Sequence, residues 1–283
     1  MDESVKTIGA KAFYGCTSLE KITLSEGLEY IKDYAFYNCK KIKELVLPDS
    51  LQEAGFGMLQ GCSGLQKLTL PFTGKSRTDS TFLTYYYGDK YAQDTGYYSV
   101  YVSELEFSKN CTVIPLKAAY GCNYLKNVTI PRTVTRIKDS AFYKCYNLES
   151  VIIPSGVTRI DSMAFFDCSS MKEVFIPDSV NFIDSKSFSR YTSLGYVPLT
   201  VVINCYEGSY AQTYAVNNGF NYKLLTRLDA SGDDILDTED LAVMKKYILG
   251  KGMATFQADC NYDGEVNLLD LIKIKKHFAS QTA

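Results

Sequence analysis

A period of 23 residues runs through residues 5–200 and restricts the possible folds of this chain more than any other feature. Ile8, Ala12, Phe13, Cys16 and Leu19 recur as Ile31, Ala35, Phe36, Cys39 and Ile42. The same slots hold Ile137, Ala141, Phe142, Cys145 and Leu148, then Ile160, Ala164, Phe165, Cys168 and Met171. Short apolar runs follow at 22–24, 45–47, 128–130, 151–153 and 174–176. Pro48, Pro71, Pro131, Pro154 and Pro177 stand at the ends of such runs, where a missing backbone N–H costs least. A unit this short cannot bury its own apolar side chains, whereas stacked units cover one another. The expected architecture is a β-rich solenoid with parallel strands about 4.8 Å apart. Leu19, Ile22, Leu24, Leu28, Ile31 and their equivalents are expected to line one continuous core.

The template is broken in two places. Ala54 and Leu59 replace Ile and Phe in the third unit, and Cys62 to Cys122 spans 60 residues, two periods plus 14. The extra length falls between Leu70 and Leu105, as an insertion near 72–103 that carries Tyr85, Tyr86, Tyr87, Tyr97, Tyr98 and Tyr101. Residues 201–225 read as an end cap, which a solenoid needs to avoid exposing its last core layer. Within it, 201–204 and 222–225 read as strands, flanking a helix N-capped by Ser209 and stopped near Gly219. The solenoid is thus expected over 1–225 and a second module over 226–283, joined by the short linker Thr226 and Arg227.

Nine cysteines invite a disulfide reading. Cys16, Cys39 and Cys62 are evenly spaced, as are Cys122, Cys145 and Cys168, which marks one small apolar slot per repeat. Buried thiols are therefore expected there; Cys111, Cys205 and Cys260 lie off this ladder and have no assigned role.

The second module contains a different duplication, offset by 30 residues. Asp259, Asn261, Asp263, Asn267 and Asp270 put oxygen-bearing side chains at positions 1, 3, 5, 9 and 12 of a loop, with Gly264 at the sharp turn of position 6. That spacing wraps a calcium ion, a hard cation that takes six to eight oxygens, with Glu265 giving its carbonyl at position 7. The first copy places Asp229, Ser231, Asp233, Asp237 and Asp240 in the same positions, with Ile235 at position 7 and Asp234 in place of glycine. Two ions are expected, the first bound more weakly. Each loop runs into a helix with an apolar stripe: Leu241, Met244 and Ile248, then Leu271, Ile274 and Phe278. Neither loop has a clear preceding helix. A solvated acidic tail is the plainer alternative for these carboxylates, and two copies in register argue against it.

The net charge of −2 leaves no basic excess to neutralise phosphates, which argues against nucleic-acid binding. From residue 227 onward the chain has 7 basic and 10 acidic residues, so the acidic character sits in the second module. No apolar run reaches the roughly 20 residues of a membrane span. The chain opens with Met1, Asp2, Glu3 and Ser4 and passes directly into a partial repeat, so no signal peptide is legible and upstream material is expected to be missing. The sole histidine, His277, lies beside Lys275 and Lys276 and reads as a surface residue. No nucleophile–base motif or phosphate loop is recognisable, and no catalytic residue is assigned.

Binding is then the expected task of the solenoid. Strand alternation turns Lys21, Thr23, Glu44, Val46, Lys67, Thr69, Asn127, Thr129, Ser150, Ile152, Glu173 and Phe175 outward, with Val46, Ile152 and Phe175 as an apolar hint of a contact patch. The tyrosine tract from Tyr85 to Tyr101 is a second candidate. The series Tyr14, Tyr37, Tyr120, Tyr143 and Phe166 is a third. For both aromatic groups the alternative is that they shield the core.

The repeated Leu-x-x-Ile-x-Leu pattern with its Ala-Phe-x-x-Cys extension resembles the BspA-like leucine-rich-repeat proteins common on bacterial surfaces. The duplicated loop–helix units, each ending in Asp at position 12, resemble a dockerin, a small all-α calcium-binding module. That resemblance implies calcium-dependent binding to a cohesin module of a scaffoldin. It places contacts at Thr238, Glu239, Lys245 and Lys246 in the first copy, and at Leu268, Leu269, Lys275 and Lys276 in the second. Many dockerins bind in two orientations; the mismatch between Thr-Glu and Leu-Leu implies one preferred orientation here, unless the leucines pack internally. The implied setting is a secreted, non-catalytic cellulosome component in plant polysaccharide degradation, extracellular or attached to the cell surface. Its solenoid would take a polysaccharide, host-surface or protein ligand. The alternative is a cryptic polysaccharide-degrading enzyme, or a regulator of other assembly enzymes, recruited through the dockerin.

Overall fold

The computed structural model describes residues 2–79, 82–89, 100–226, 228, 238–249 and 266–281. The repeats form a parallel β-solenoid. Its main face carries two four-stranded runs, first Glu44–Val46, Lys67–Leu70, Glu104–Phe107 and Asn127–Thr129, then Ser150–Ile152, Glu173–Phe175, Val202–Cys205 and Asn221–Leu224. Leu45, Leu68, Leu105 and Val128 stand in register in the first run, and Val151, Val174, Ile203 and Tyr222 in the second. A second face is built from two-residue strands, among them Tyr30–Ile31, Glu53–Ala54, Arg136–Ile137 and Arg159–Ile160. Each turns its apolar member inward, and Ile31, Ala54, Ile137 and Ile160 are fully or almost fully buried.

The Ala-Phe turns close each coil. Backbone bonds link one turn to the next, as from Phe13 N–H to Ala35 O at 2.8 Å and from Phe142 N–H to Ala164 O at 2.7 Å. Phe13 stacks on Phe36, and Phe142 on Phe165 and Phe165 on Phe188, with ring centroids 5.0–5.2 Å apart. These turns need left-handed backbone twice per coil. Lys11 and Gly15, Tyr34 and Asn38, and Ser140 and Lys144 all have positive φ. The cysteine slot follows the second of these positions. Cys39, Cys62, Cys145 and Cys168 donate their thiol hydrogen to a carbonyl of the preceding coil at 3.0–3.2 Å.

The structure departs from or resolves the sequence reading at three places. Residues 22–24 form no strand, and Leu19, Ile22 and Leu24 are only partly buried. The tyrosine tract is in part core. Tyr86 and Tyr87 are buried within the 3-10 helix Leu83–Tyr87, which takes the place of an Ala-Phe turn: Leu59 N–H donates to Tyr86 O at 2.8 Å and Leu83 N–H to Ala118 O at 2.7 Å. The 14 extra residues are absorbed here without disturbing the main sheet, since Leu68 pairs with Leu105. Tyr97 and Tyr98 lie outside the described residues. Lastly, the final repeat becomes an antiparallel hairpin, Ser189–Thr192 with Gly195–Pro198, which the periodicity did not reveal. Tyr191 occupies the sequence slot of the ladder cysteine and is too large for it; it is exposed, and Leu194 in the leucine slot is 91% exposed at the tip.

The cap follows the sequence reading. Helix α1, Tyr210–Asn218, is capped by Ser209 Oγ, which accepts from Gln212 N–H at 3.1 Å, and ends on Gly219 at φ 72°. Two further helices, α2 (Thr238–Ile248) and α3 (Leu268–Gln281), pack through Met244, Leu271 and Ile274, with Leu228, Leu241, Val243, Val266 and Phe278 around them. Ile248 does not join this core; it is 37% exposed, and Val243 takes part instead.

Candidate functional site

The C-terminal helices present one buried and one exposed set of predicted residues. Asp240 and Asp270, the last position of each acidic loop, lie in the first turn of α2 and α3 and are wholly buried. The N-terminal end of a helix favours a carboxylate. Burying one still costs several kcal/mol unless donors or a cation compensate it, roughly the scale of a lost buried pair. Asp270 Oδ2 accepts from Asn267 N–H at 2.8 Å, and Asn267 Oδ1 accepts from Leu269 N–H at 2.8 Å, so the end of the second loop is fixed on the helix that follows it. Such burial suits a loop whose acids face inward around a cation and does not suit a solvated acidic tail. Asp229, Ser231, Asp233, Ile235, Asp237, Asp259, Asn261, Asp263 and Glu265 lie outside the described residues.

All eight predicted contact residues are exposed: Thr238, Glu239, Lys245 and Lys246 on α2, and Leu268, Leu269, Lys275 and Lys276 on α3. Leu268 and Leu269 are 57% and 59% exposed, so neither is an inward-packing core residue. Ile272 is exposed as well and extends their apolar face by one turn. It was not singled out from the sequence, although its spacing of four from Leu268 gave the signal. His277, expected at the surface, is half-buried with its ring 5.8 Å from that of Phe278.

On the solenoid, Val46 and Ile152 are half exposed, as alternation requires. Phe175 is not: it is buried under Tyr206 and Leu225, with the Tyr206 ring 5.7 Å away and edge-on. The end cap therefore covers one end of the apolar patch expected on the main sheet. The aromatic series is stacked face to face. Tyr14 and Tyr37 lie 4.5 Å apart, Tyr120 and Tyr143 4.7 Å, and Tyr143 and Phe166 5.0 Å, all within 9° of parallel. Stacked rings turn edges, not faces, to the solvent, so the interior of this series offers no flat platform and serves to cover the turns.

The described cysteines are all free, and Cys39, Cys62, Cys111, Cys122, Cys145, Cys168 and Cys205 are buried. Burial pushes the thiol of Cys39 up to about 11 and that of Cys62 up to about 12, with the neighbouring ladder thiol adding to the effect. Cys111 rises to about 11 through burial. Thiols of this kind are structural and unreactive. Cys16 departs from the expected burial: it is exposed. Cys260 lies outside the described residues.

The repeat geometry and the helical pair agree with two family models. Residues 1–86 and 90–214 match the BspA type leucine rich repeat region, in six copies. The chain belongs to the BspA-type leucine-rich-repeat family. Its C-terminal residues 227–279 match the dockerin type I domain. Both modules of this BspA-type protein are non-catalytic kinds of module. No curated protein matches the chain. Among solved structures, it is similar to a leucine-rich repeat protein from Bacteroides ovatus, at 21% identity over 72% of this chain and 48% of that one, with a TM-score of 0.43. It is similar to another from Eubacterium ventriosum, at 26% identity over 60% of this chain and 42% of that one, with a TM-score of 0.43. The chain thus spans less than half the length of these two proteins. Among the described residues, no helix is long and apolar enough to cross a membrane.

Proposed function

We propose that this protein is a non-catalytic, secreted component of a plant-polysaccharide-degrading assembly, held there by its dockerin and contributing its solenoid as a binding or adhesion module. The solenoid with its cap would end at residue 225, and the dockerin would occupy 226–283. The observation that carries this reading is the dockerin match over 227–279, together with the buried carboxylates Asp240 and Asp270 at the starts of the two helices.

Calcium is the ion these donors suit, being hard, oxygen-seeking and tolerant of irregular loops. Asp229, Ser231, Asp233, Ile235, Asp237 and Asp240 would hold one ion, and Asp259, Asn261, Asp263, Glu265, Asn267 and Asp270 the other. When bound, the ion supplies positive charge that offsets the clustered acids and draws each loop onto its helix. The helices then offer Thr238, Glu239, Lys245, Lys246, Leu268, Leu269, Lys275 and Lys276 to a cohesin of a scaffoldin. The lysines attract an acidic rim, and the leucines supply apolar area. The solenoid would bind a polysaccharide, host-surface or protein ligand.

The test uses the full chain and a purified cohesin, titrated in calcium and after chelation. Binding is expected in calcium and lost by at least about tenfold without it, with α-helical signal falling in parallel. Asp270→Ala should weaken calcium binding by at least about tenfold, the scale of a lost ligand. Equal cohesin affinity with and without calcium would overturn the proposal. Release of soluble sugar from plant polysaccharide by the purified chain would overturn its non-catalytic part.

A further inference from the structure

The tyrosine-rich insertion builds something besides core. Before the 3-10 helix, its first stretch doubles back over the second face of the solenoid. Ser76 forms an antiparallel bridge with Glu53, and Ala54 N–H donates to Lys75 O at 2.8 Å. This stretch takes the place where the next parallel strand of that face would lie, and the face is accordingly split into a three-stranded and a four-stranded run. Between the returning segment and the adjoining coils lies an open cleft of about 490 Å³, within the roughly 300–1,000 Å³ usual for small-molecule sites. Its wall includes Tyr30, Asp49, Gln52, Glu53, Arg77 and Thr78.

Several of these groups are fixed in advance. The Asp49 carboxylate accepts from Ser108 Oγ at 2.5 Å and from Asn110 Nδ2 at 2.8 Å. Arg77 Nη2 donates to Asp49 O at 2.6 Å, and the guanidinium lies 5.7 Å from the centre of the Phe72 ring. Tyr30 donates its hydroxyl hydrogen to Gln52 Oε1 at 3.0 Å, and Gln52 Nε2 reaches Glu29 Oε2 at 3.3 Å. A ligand that meets side chains already held in place loses less binding energy to ordering them.

The chemistry of the wall excludes three ligand classes. An apolar ligand would find one aliphatic residue, Leu51, which is itself fully buried. An anion would find both nearby cations already engaged, Arg77 Nη2 at 3.8 Å from Asp49 Oδ1 and Lys32 Nζ at 3.8 Å from Glu53 Oε2. A metal ion would meet the Arg77 guanidinium at 3.8 Å from Asp49 Oδ1, already occupying the charge. What remains is a neutral ligand that donates and accepts hydrogen bonds at many points. Carboxylate, amide, guanidinium and hydroxyl groups alternate around the wall, and vicinal hydroxyls complement that alternation. Tyr30 adds an amphipathic aromatic edge of the kind that meets both ring carbons and hydroxyls.

We propose that this cleft is a glycan-binding site taking one or two neutral sugar units, with Asp49, Gln52, Glu53 and Arg77 as its hydrogen-bonding residues. The proposal rests on the reading of the solenoid as a binding module and gives that module a ligand class and a place. It is independent of the dockerin, since every residue of the wall belongs to the solenoid and its insertion.

The experiment is calorimetric titration of the full chain with neutral disaccharides (cellobiose, xylobiose, mannobiose and lactose), with digalacturonic acid and with calcium alone, each repeated in chelator. At least one neutral disaccharide is expected to bind with a Kd on the order of 1 mM, equally with and without chelator. Arg77→Ala and the isosteric Glu53→Gln should each weaken it by about fivefold or more, the effect of losing one hydrogen bond to a charged group. Glu53→Gln keeps the shape of the wall and decides the matter if Arg77→Ala melts early. The site is refuted if no neutral sugar binds, if the acidic sugar binds better, or if both variants bind as the parent does. Because chelation abolishes cohesin binding but spares this titration, failure of the sugar site and failure of the attachment reading give different results.

Discussion

At the residue scale, the cysteine slot shows why a small residue with a weak donor recurs. The thiols of Cys39, Cys62, Cys145 and Cys168 each hydrogen-bond a carbonyl one coil earlier, as Cys62 does with Phe36 O at 3.0 Å. Serine would fit but would bring a stronger hydration cost, and valine would leave the carbonyl unmet. The same burial sets the chemistry. At pH 8, an alkylating reagent should modify Cys16 in the native protein and leave Cys39, Cys62, Cys145 and Cys168 untouched until the chain is unfolded. Peptide mass mapping reads this directly, and native labelling at Cys62 would contradict the buried ladder. The sign of the pH effect follows. Unfolded thiols ionise from about pH 8.5 upward, while those of Cys39 and Cys62 hold their protons in the folded chain to about 11 and about 12, so the contribution of these two to stability is complete below pH 8.5. It is lost as the pH rises through 11–12, and a melting curve should record a progressive fall on the alkaline side.

At the element scale, the coils are joined at a corner that follows Pro48, Pro131, Pro154 and Pro177. There Ser50 Oγ donates to Leu28 O at 2.6 Å, Thr133 Oγ1 to Cys111 O at 2.7 Å and Ser179 Oγ to Val157 O at 2.8 Å. Gly156 fills the equivalent corner by close approach instead: a Cβ there would stand 1.8 Å from Arg132 O. Gly121 differs, since its φ of +69° needs left-handed backbone but a Cβ would meet nothing within 4 Å. Gly121→Ala should therefore cost about 1–2 kcal/mol through conformation alone. Gly156→Ala should cost about 3 kcal/mol or more, because two backbones must separate. Chemical denaturation of both variants tests the order, and a smaller loss at Gly156 would show that the corner relaxes freely. Elements built on the period were legible in the sequence, from the 37-residue step between Leu68 and Leu105 to the Ser209 cap. What escaped was local competition. Tyr191 and Leu194 satisfy the spacing of the cysteine and leucine slots, but a phenol does not fit a thiol's space, and the chain forms a hairpin. Phe175 follows the alternation rule, yet residues 31 and 50 positions later cover it. The second face, with only two residues per strand, is too short for alternation to reveal. In the helical pair, the exposure of Leu268 and Leu269 was legible, while the place of Ile248 depended on which side the partner helix occupied.

At the scale of the whole molecule, the two modules are joined almost without slack. Leu225 is packed with Phe175 and Tyr206 on the solenoid, and Leu228 packs against the core of α2 and α3. Three Cα steps separate them, at most about 11 Å. A cohesin bound to the helical pair as proposed would therefore be held near the end cap, and the orientation in which it binds would decide what the solenoid can reach. The lysine pairs Lys245–Lys246 and Lys275–Lys276 would serve either orientation equally. The pairs before them would not, because Leu268 and Leu269 expose apolar area, extended by Ile272, where Thr238 and Glu239 expose polar groups. Each leucine buried by a partner is worth about 1.5–3 kcal/mol relative to exposure, so one orientation should dominate. Cohesin affinity should fall by at least about tenfold in the Leu268→Ala, Leu269→Ala double variant and by no more than about threefold in Thr238→Ala, Glu239→Ala. Surface plasmon resonance at two salt concentrations separates this apolar effect from the lysines, whose contribution alone is screened by salt. A ten-residue Gly/Ser insertion between Thr226 and Arg227 should leave the ratio of the two losses unchanged, because the preference lies in the side chains. Equal losses from the two pairs would mean that both orientations are used, and a ratio that collapses with the longer linker would mean that the solenoid, not the leucines, selects between them.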